Sequence, residues 1–201
     1  MLWPFFADAR PVSYAGGTMA MVEHDPDSTA LNIDYSPTAH YAVGWRHEYF
    51  QDQDAQMDAL RLNWLAKRWN NPASQGNFWV LSGAGVAYGN GEINPAAWTG
   101  VSIDWEDRRF YTMAETKAFY GGGDNGAADN FIKHKARLGV APYVGDAGDL
   151  HTWLMIQADY DAGKPDDFSV TPLVRMFKGS TLVEAGYNLD GGALLNLTHT
   201  F

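Results

Sequence analysis

From Ser13 to Phe201 the chain repeats one device: a segment of about ten residues with apolar side chains at every second position, then a short run rich in Gly, Asp, Asn or Pro. The last segment, Gly192–Phe201 (GALLNLTHTF), shows it plainly. Phe201, His199, Leu197, Leu195 and Ala193 fall on one face, and Thr200, Thr198, Asn196 and Leu194 on the other. A side-chain period of two belongs to a strand, so each segment is a strand with one greasy and one mostly polar face. The pattern predicts strands at 14–24, 28–36, 39–50, 57–69, 76–88, 95–106, 109–120, 130–143, 150–161, 167–178, 181–190 and 192–201. Twelve is an even number, which brings both ends of the sheet to the same side.

The connections alternate in character. Those after odd strands are rich in Asp and Gly: HDPDS (24–28), QDQDAQ (51–56), GNGEINP (89–95), GGGDNGAADN (121–130), DAGKPDD (161–167) and DGG (190–192). Those after even strands are mostly short, such as Pro37–Thr38, Asp107–Arg108 and Gly179–Ser180, with GDAGD (145–149) as the exception. Segments of this length, joined alternately by short turns and longer loops, are what a membrane-crossing β-barrel requires. The terminal Phe preceded by apolar residues at alternate positions resembles the final strand of bacterial outer-membrane β-barrels. That resemblance implies an all-β fold, an antiparallel up-and-down transmembrane β-barrel of about twelve strands with a polar lumen, placed in the outer membrane among its lipids.

Composition agrees with this reading. Hydrophobic residues make up 46 %, aromatics 14 % and charged residues only 19 %, where soluble domains carry about a quarter charged residues. The net charge of −10 argues against nucleic acid, which needs a basic footprint. There is no cysteine, hence no disulfide framework and no thiolate chemistry. No run of apolar residues is long enough for a transmembrane helix. Residues 1–11 are left out of the barrel strands, as a genuine N-terminal plug or tail or as a signal-peptide remnant: MLWPFFADA is apolar and ends in a small-x-small pattern, but lacks the charged start and length of a full signal. Residues 12–201 then form a single barrel domain.

Three features turn the apolar face toward lipid and not toward a soluble core. A twelve-stranded cylinder encloses too wide a space to fill with aliphatic side chains alone. The polar face carries acids and bases in similar numbers. Aromatics gather near strand ends (Tyr14, Tyr35, Tyr41, Tyr88, Trp105, Phe110, Tyr120, Tyr160, Phe201), as interfacial girdles do.

Parity then assigns the lumen. Lys133, Lys135 and Arg137 form a basic ladder on one strand, with Lys117 and Glu115 on the strand before it. Arg46, Glu48, Arg61, Lys67 and Arg175 are expected on the same inner surface, opposed by Asp34, Asp104, Glu106, Asp159 and Glu184. Charge rings of this kind set the selectivity of a narrow pore. In general look this resembles the small twelve-stranded porins that pass acidic sugars along two basic tracks. The resemblance implies passage of small polar or anionic solutes without a cofactor, and no oligomeric state follows from it. Two other readings stay open: the ion pairs close the lumen and the barrel is structural, or the barrel is a lipid-modifying enzyme.

The enzyme reading needs a hydroxyl and a His in contact, with a third group orienting the His. His47, His134 and His199 point outward by parity, but the clearest outward serine, Ser82, lies in mid-strand and no G-x-S-x-G turn is present. Met19, Met21, Glu23, His24, Asp25 and Asp27 cluster at one strand end. A greasy strand face and an Asp-rich loop account for them without a metal. Gly83 and Gly85 share an inner face, which calls for a neighbour lying over them. The architecture has a direct readout: protein refolded in detergent should migrate differently on a gel before and after boiling, and a single unshifted band would reject it.

Overall fold

The computed structural model describes residues 10–122, 126–146, 148–162 and 168–201. Residues 1–9, and the parts of the predicted loops at 123–125, 147 and 163–167, lie outside the described residues. Twelve strands follow in order: β1 (Thr18–His24), β2 (Ser28–Thr38), β3 (Tyr41–Phe50), β4 (Ala55–Asn70), β5 (Ser74–Gly89), β6 (Glu92–Asp107), β7 (Phe110–Tyr120), β8 (Phe131–Val140), β9 (His151–Ala162), β10 (Phe168–Lys178), β11 (Thr181–Tyr187) and β12 (Ala193–Thr200). Each pairs antiparallel with its sequence neighbours, and β1 pairs with β12, so the sheet closes on itself. The seam runs from Met19 opposite Thr200 to His24 opposite Leu195, and the Phe201 amide extends it by donating to the Thr18 carbonyl at 2.8 Å.

The turns follow local chemistry. Asn90 and Gly91 both take positive φ (53° and 78°) in the two-residue β5–β6 connection, which matches the right-handed twist of the flanking strands. Turns after even strands gather at the end where β1 begins and β12 finishes. Loops after odd strands gather at the other end.

Alternation sorts the side chains. Leu60, Leu62, Trp64, Val101, Ile103, Leu138, Leu154 and Ile156 are exposed on the outer wall, with Leu60 75 % accessible. Tyr35, Tyr41, Trp69, Trp105, Phe110 and Phe201 ring the turn end, and Tyr88, Tyr120, Tyr160, Phe168 and Tyr187 ring the loop end, all exposed. A soluble protein does not present so continuous an apolar surface. Hydrocarbon accepts it, and two aromatic belts mark the interfaces.

Two departures from strict alternation matter. The β4–β5 register shifts between Leu65 and Lys67, because a bulge sets two residues against one. Beyond it parity inverts. Pro172 stays in unbroken register with Ile156 of β9, while pairing with β11 stops at Leu173–Gly186. Proline has no ladder donor, and the ladder ends beside it.

Outer placement makes a sharp prediction. Leu60→Arg, in mid-band, should cost about 2–4 kcal/mol in a bilayer-refolded protein, measured by urea unfolding in vesicles. At so exposed a site in water the same change stays within about 0.5 kcal/mol, and that result would remove the lipid-facing wall.

Candidate functional site

The inner wall is unequal around its circumference. On β3 to β7 an apolar cluster projects inward: Phe50, Met57, Leu65, Trp79, Leu81, Trp98 and Phe119, with Ala127 and Ala128 of the β7–β8 loop. That loop folds over the mouth. The Ala127 amide donates to Asn94 Oδ1 at 2.7 Å and the Asp129 amide to Gln53 Oε1 at 2.8 Å. At the opposite end the chain before β1 enters the barrel. Val12 is buried in the apolar cluster, the Pro11 carbonyl accepts from Asn63 Nδ2 at 3.0 Å, and Arg10 forms an ion pair with Glu106. Arg10 and Pro11, left out of the barrel strands on sequence, thus lie within the lumen.

Two arginine-centred lattices occupy the charged walls. In the first, Arg46 grips Glu48 through both carboxylate oxygens (2.7 and 2.8 Å) and donates to Glu23 at 2.7 Å and to Asn32 at 2.9 Å. Arg61 also bonds Asn32 and pairs with Asp34 at 3.4 Å. In the second, Glu184 accepts from Arg137 (2.9 and 3.1 Å), from Arg175 Nε at 2.6 Å and from Asn196 Nδ2 at 2.6 Å. Arg137 donates its Nε to Gln157 at 2.6 Å, Gln157 donates onward to Asp159 at 2.5 Å, and Arg175 stacks over Tyr111. The guanidinium fork suits this work, because it ties two acceptors at fixed angles.

The lysines behave differently. Lys133 reaches toward the β1–β2 turn, with Asp27 at 2.7 Å and Asp161 and Asp25 at 3.8 and 3.9 Å. β8 and β1 are not neighbours in the sheet, so this cluster spans the mouth. Lys117 meets Glu115 only at 3.6 Å and holds its ammonium 5.3 Å from the Trp98 ring centre. Lys135, opposite Glu115 in the β7–β8 register and opposite Asp159 in β8–β9, makes no ion pair among the described residues. Lys117 and Lys135 both line the lumen cavity, whose volume is about 230 Å³.

The expected lining set is brought together with one correction. Arg46, Glu48, Arg61, Asp104, Glu115, Lys117, Lys133, Lys135, Arg137, Arg175 and Glu184 line the cavity, and Asp159 belongs to the inner hydrogen-bond network. Lys67 does not. The bulge sets it opposite Phe78 on the outer wall, and Arg68 takes the inner place, donating to Asn77 Oδ1 at 2.6 Å. Simple parity cannot see a bulge, although two consecutive bases left both choices open. Glu23, Arg68, Asp161 and Trp98 were missed as lining groups. Glu23 and Asp161 continue the parity of Met19 and Met21 and of Asp159, so the signal was present. Trp98 covers Gly83, where a Cβ would strike its indole, so the neighbour over that glycine is aromatic, whereas Gly85 is closed by the Asp58–Ala59 backbone of β4.

On the outer wall the histidines pair across strands: His134 with Thr116 at 2.9 Å, His199 with Thr181 at 2.8 Å and His47 with Asp58 at 3.1 Å. Ser82 instead donates to the Leu62 carbonyl at 3.4 Å. None of these pairs assembles the serine–histidine contact that the enzyme reading needs. Among the described residues no group of three His, Asp or Glu side chains is arranged to hold a metal ion.

A closed antiparallel cylinder, apolar outside and ionised inside, is the architecture of small porin-like barrels. No protein-family model and no curated protein matches the chain. Among solved structures it is similar to the KdgM porin (TM-score 0.52, 9 % identity, 92 % of this chain and 98 % of that chain). It is also similar to the KdgM porin in complex with disordered oligogalacturonate (TM-score 0.53, 10 % identity, 92 % of this chain and 99 % of that chain). At such identity the likeness is one of fold.

The Glu184 lattice can be broken selectively. Glu184→Gln removes the carboxylate charge that two buried guanidinium groups share and should cost about 3–5 kcal/mol, read by urea unfolding. Replacing Arg137, Arg175 and Glu184 together by Met, Met and Leu removes both sides of that contact and should cost less. The reverse order would show that the lattice is not what holds this wall.

Proposed function

We propose that this chain is a bacterial outer-membrane barrel that forms a narrow channel for small polar or anionic solutes. Lys135 carries the reading: a cation on the cavity wall with no carboxylate within ion-pair distance of its ammonium among the described residues, beside a second lysine, Lys117, only loosely paired. A guanidinium locked between carboxylates has spent its field on them. A free ammonium offers its field to a passing anion, and in a low-dielectric pore that attraction is strong. The cavity is small, which restricts passage to small solutes in a narrow file. The similar KdgM porin has been solved with oligogalacturonate, a polyanion, which supports the same direction of selectivity. Acids and bases are otherwise nearly balanced along the wall, so the preference comes from which charges are uncommitted and not from their total.

One observation favours a second reading, the closed structural barrel. Lys133 and its three aspartates span the mouth, and the Arg10 segment enters from the other end. Planar-bilayer recording decides between them. Wild-type protein should give discrete conductance steps with an anion-selective reversal potential, and a barrel without steps is closed. Lys117→Gln with Lys135→Gln should shift the reversal potential toward cations. An unchanged potential would reject the role of these two lysines.

A further inference from the structure

The bulge in β4 leaves Lys67 on the outer wall, where its cross-strand partner is Phe78 and Ile103 follows on β6. One row nearer the turns, Trp69, Gly76 and Trp105 stand in register. Gly76 has no side chain, and a Cβ there would lie 3.4 Å from Trp69 and 3.8 Å from Trp105, so the two indoles flank a shallow gap. Trp64, Trp69 and Trp105 are all exposed. Lys67 makes no ion pair or hydrogen bond among the described residues.

An ammonium group at the edge of a hydrocarbon band must extend to the interface and meet an anion there. Tryptophan prefers the same depth. The turn end exposes Arg108, Arg109 and Lys178 together with Asp146 and Asp149, and its Asp107 accepts from the Arg109 and Phe110 amides at 2.6 Å. The loop end exposes Asp52, Asp54, Glu92, Asp129 and Asp190 and, among the described residues, no Lys or Arg. Of the two ends, the turn end is therefore the one where cations are available to a negative headgroup.

We propose that Lys67, framed by Trp69 and Trp105, binds the phosphate of an anionic phospholipid headgroup in the leaflet at the turn end. The inference rests on the membrane placement proposed above and not on the channel. The lysine supplies the charge, the indoles supply flat apolar walls for the glycerol and upper acyl carbons, and Gly76 leaves the room between them. The bulge is what makes the site, because without it residue 67 would face the lumen.

Native mass spectrometry of detergent-refolded protein, offered equal phosphatidylglycerol and phosphatidylcholine, tests the proposal. Wild type should retain phosphatidylglycerol preferentially. Lys67→Gln should lower that preference about fivefold, the size expected for one lysine near a charged surface, while Lys67→Arg should keep most of it. Lys178→Gln serves as the control and should change little. Equal retention by wild type and Lys67→Gln overturns the proposal. So does an equal loss with Lys178→Gln, which would mark a diffuse charge effect, and so does displacement by excess inorganic phosphate, which would mark a free-anion site. Bilayer conductance of Lys67→Gln should match wild type, so failure of the channel reading and failure of the lipid site are read separately.

Discussion

Hydrocarbon offers no partner to an amide or a carbonyl, and that one deficit dictates the rest of this molecule. Each backbone group left unpaired in lipid costs several kcal/mol, so a sheet that enters a membrane must have no edge. The β1–β12 ladder removes it, running from Met19–Thr200 to His24–Leu195 and on through the Phe201 amide. Both seam strands are short, at 7 and 8 residues, while β4, β5 and β6 have 16 each. The long hairpins therefore rise past the seam strands, and the Ala127–Ala128 part of the β7–β8 loop lies against them, packing with Ala55 and Ala87 near the ends of β4 and β5.

Closure inverts the usual distribution of side chains. With apolar residues committed outside, the interior must be filled by polar groups that satisfy one another or by water. Here ion pairing fills part of the interior, and inward apolar packing fills another part. Arg46, Arg137 and Arg175 draw Glu23, Glu48 and Glu184 into dense lattices with Asn32, Asn196 and Gln157, so little buried charge goes uncompensated. The wall from β4 to β6 does something different, carrying Met57, Leu65, Trp79, Leu81 and Trp98 inward. Packing on one side and ion pairing on the other leave only a small central space between them.

Most of this was legible as parity. Period-two alternation located every strand to within a few residues and assigned inner and outer faces, because a pleated strand has only two directions in which to point. What escaped had physical reasons of its own. The bulge at Leu65/Lys67 carries no local sequence mark, yet it exchanges the roles of Lys67 and Arg68. The entry of Pro11 and Val12 into the barrel depends on Asn63 and on the apolar cluster reached through long-range closure, which no window of neighbouring residues contains. The pairing of the lumen charges was likewise invisible: parity places Lys135 and Arg137 on one ladder, but only the barrel's curvature decides that Arg137 meets Glu184 while Lys135 meets no carboxylate.

On the proposed channel reading, that last difference separates framework from passage. Arginine keeps its charge under all conditions and binds through a rigid planar fork, so it can hold two strands at fixed spacing, as Arg137 does in joining β8 to Glu184 of β11. A lysine carries a point charge on a flexible stem and can follow a moving partner. The lumen uses the first type where position must not change and the second at Lys117 and Lys135, beside the open space. Exchanging the types would defeat both roles: lysines could not brace the lattices through two bonds, and arginines beside the cavity would find Glu115 and Asp159 and lock the space shut. In the proposed channel, the chemistry of two cations, more than the sum of charges, therefore decides which part of this interior is wall and which part is path.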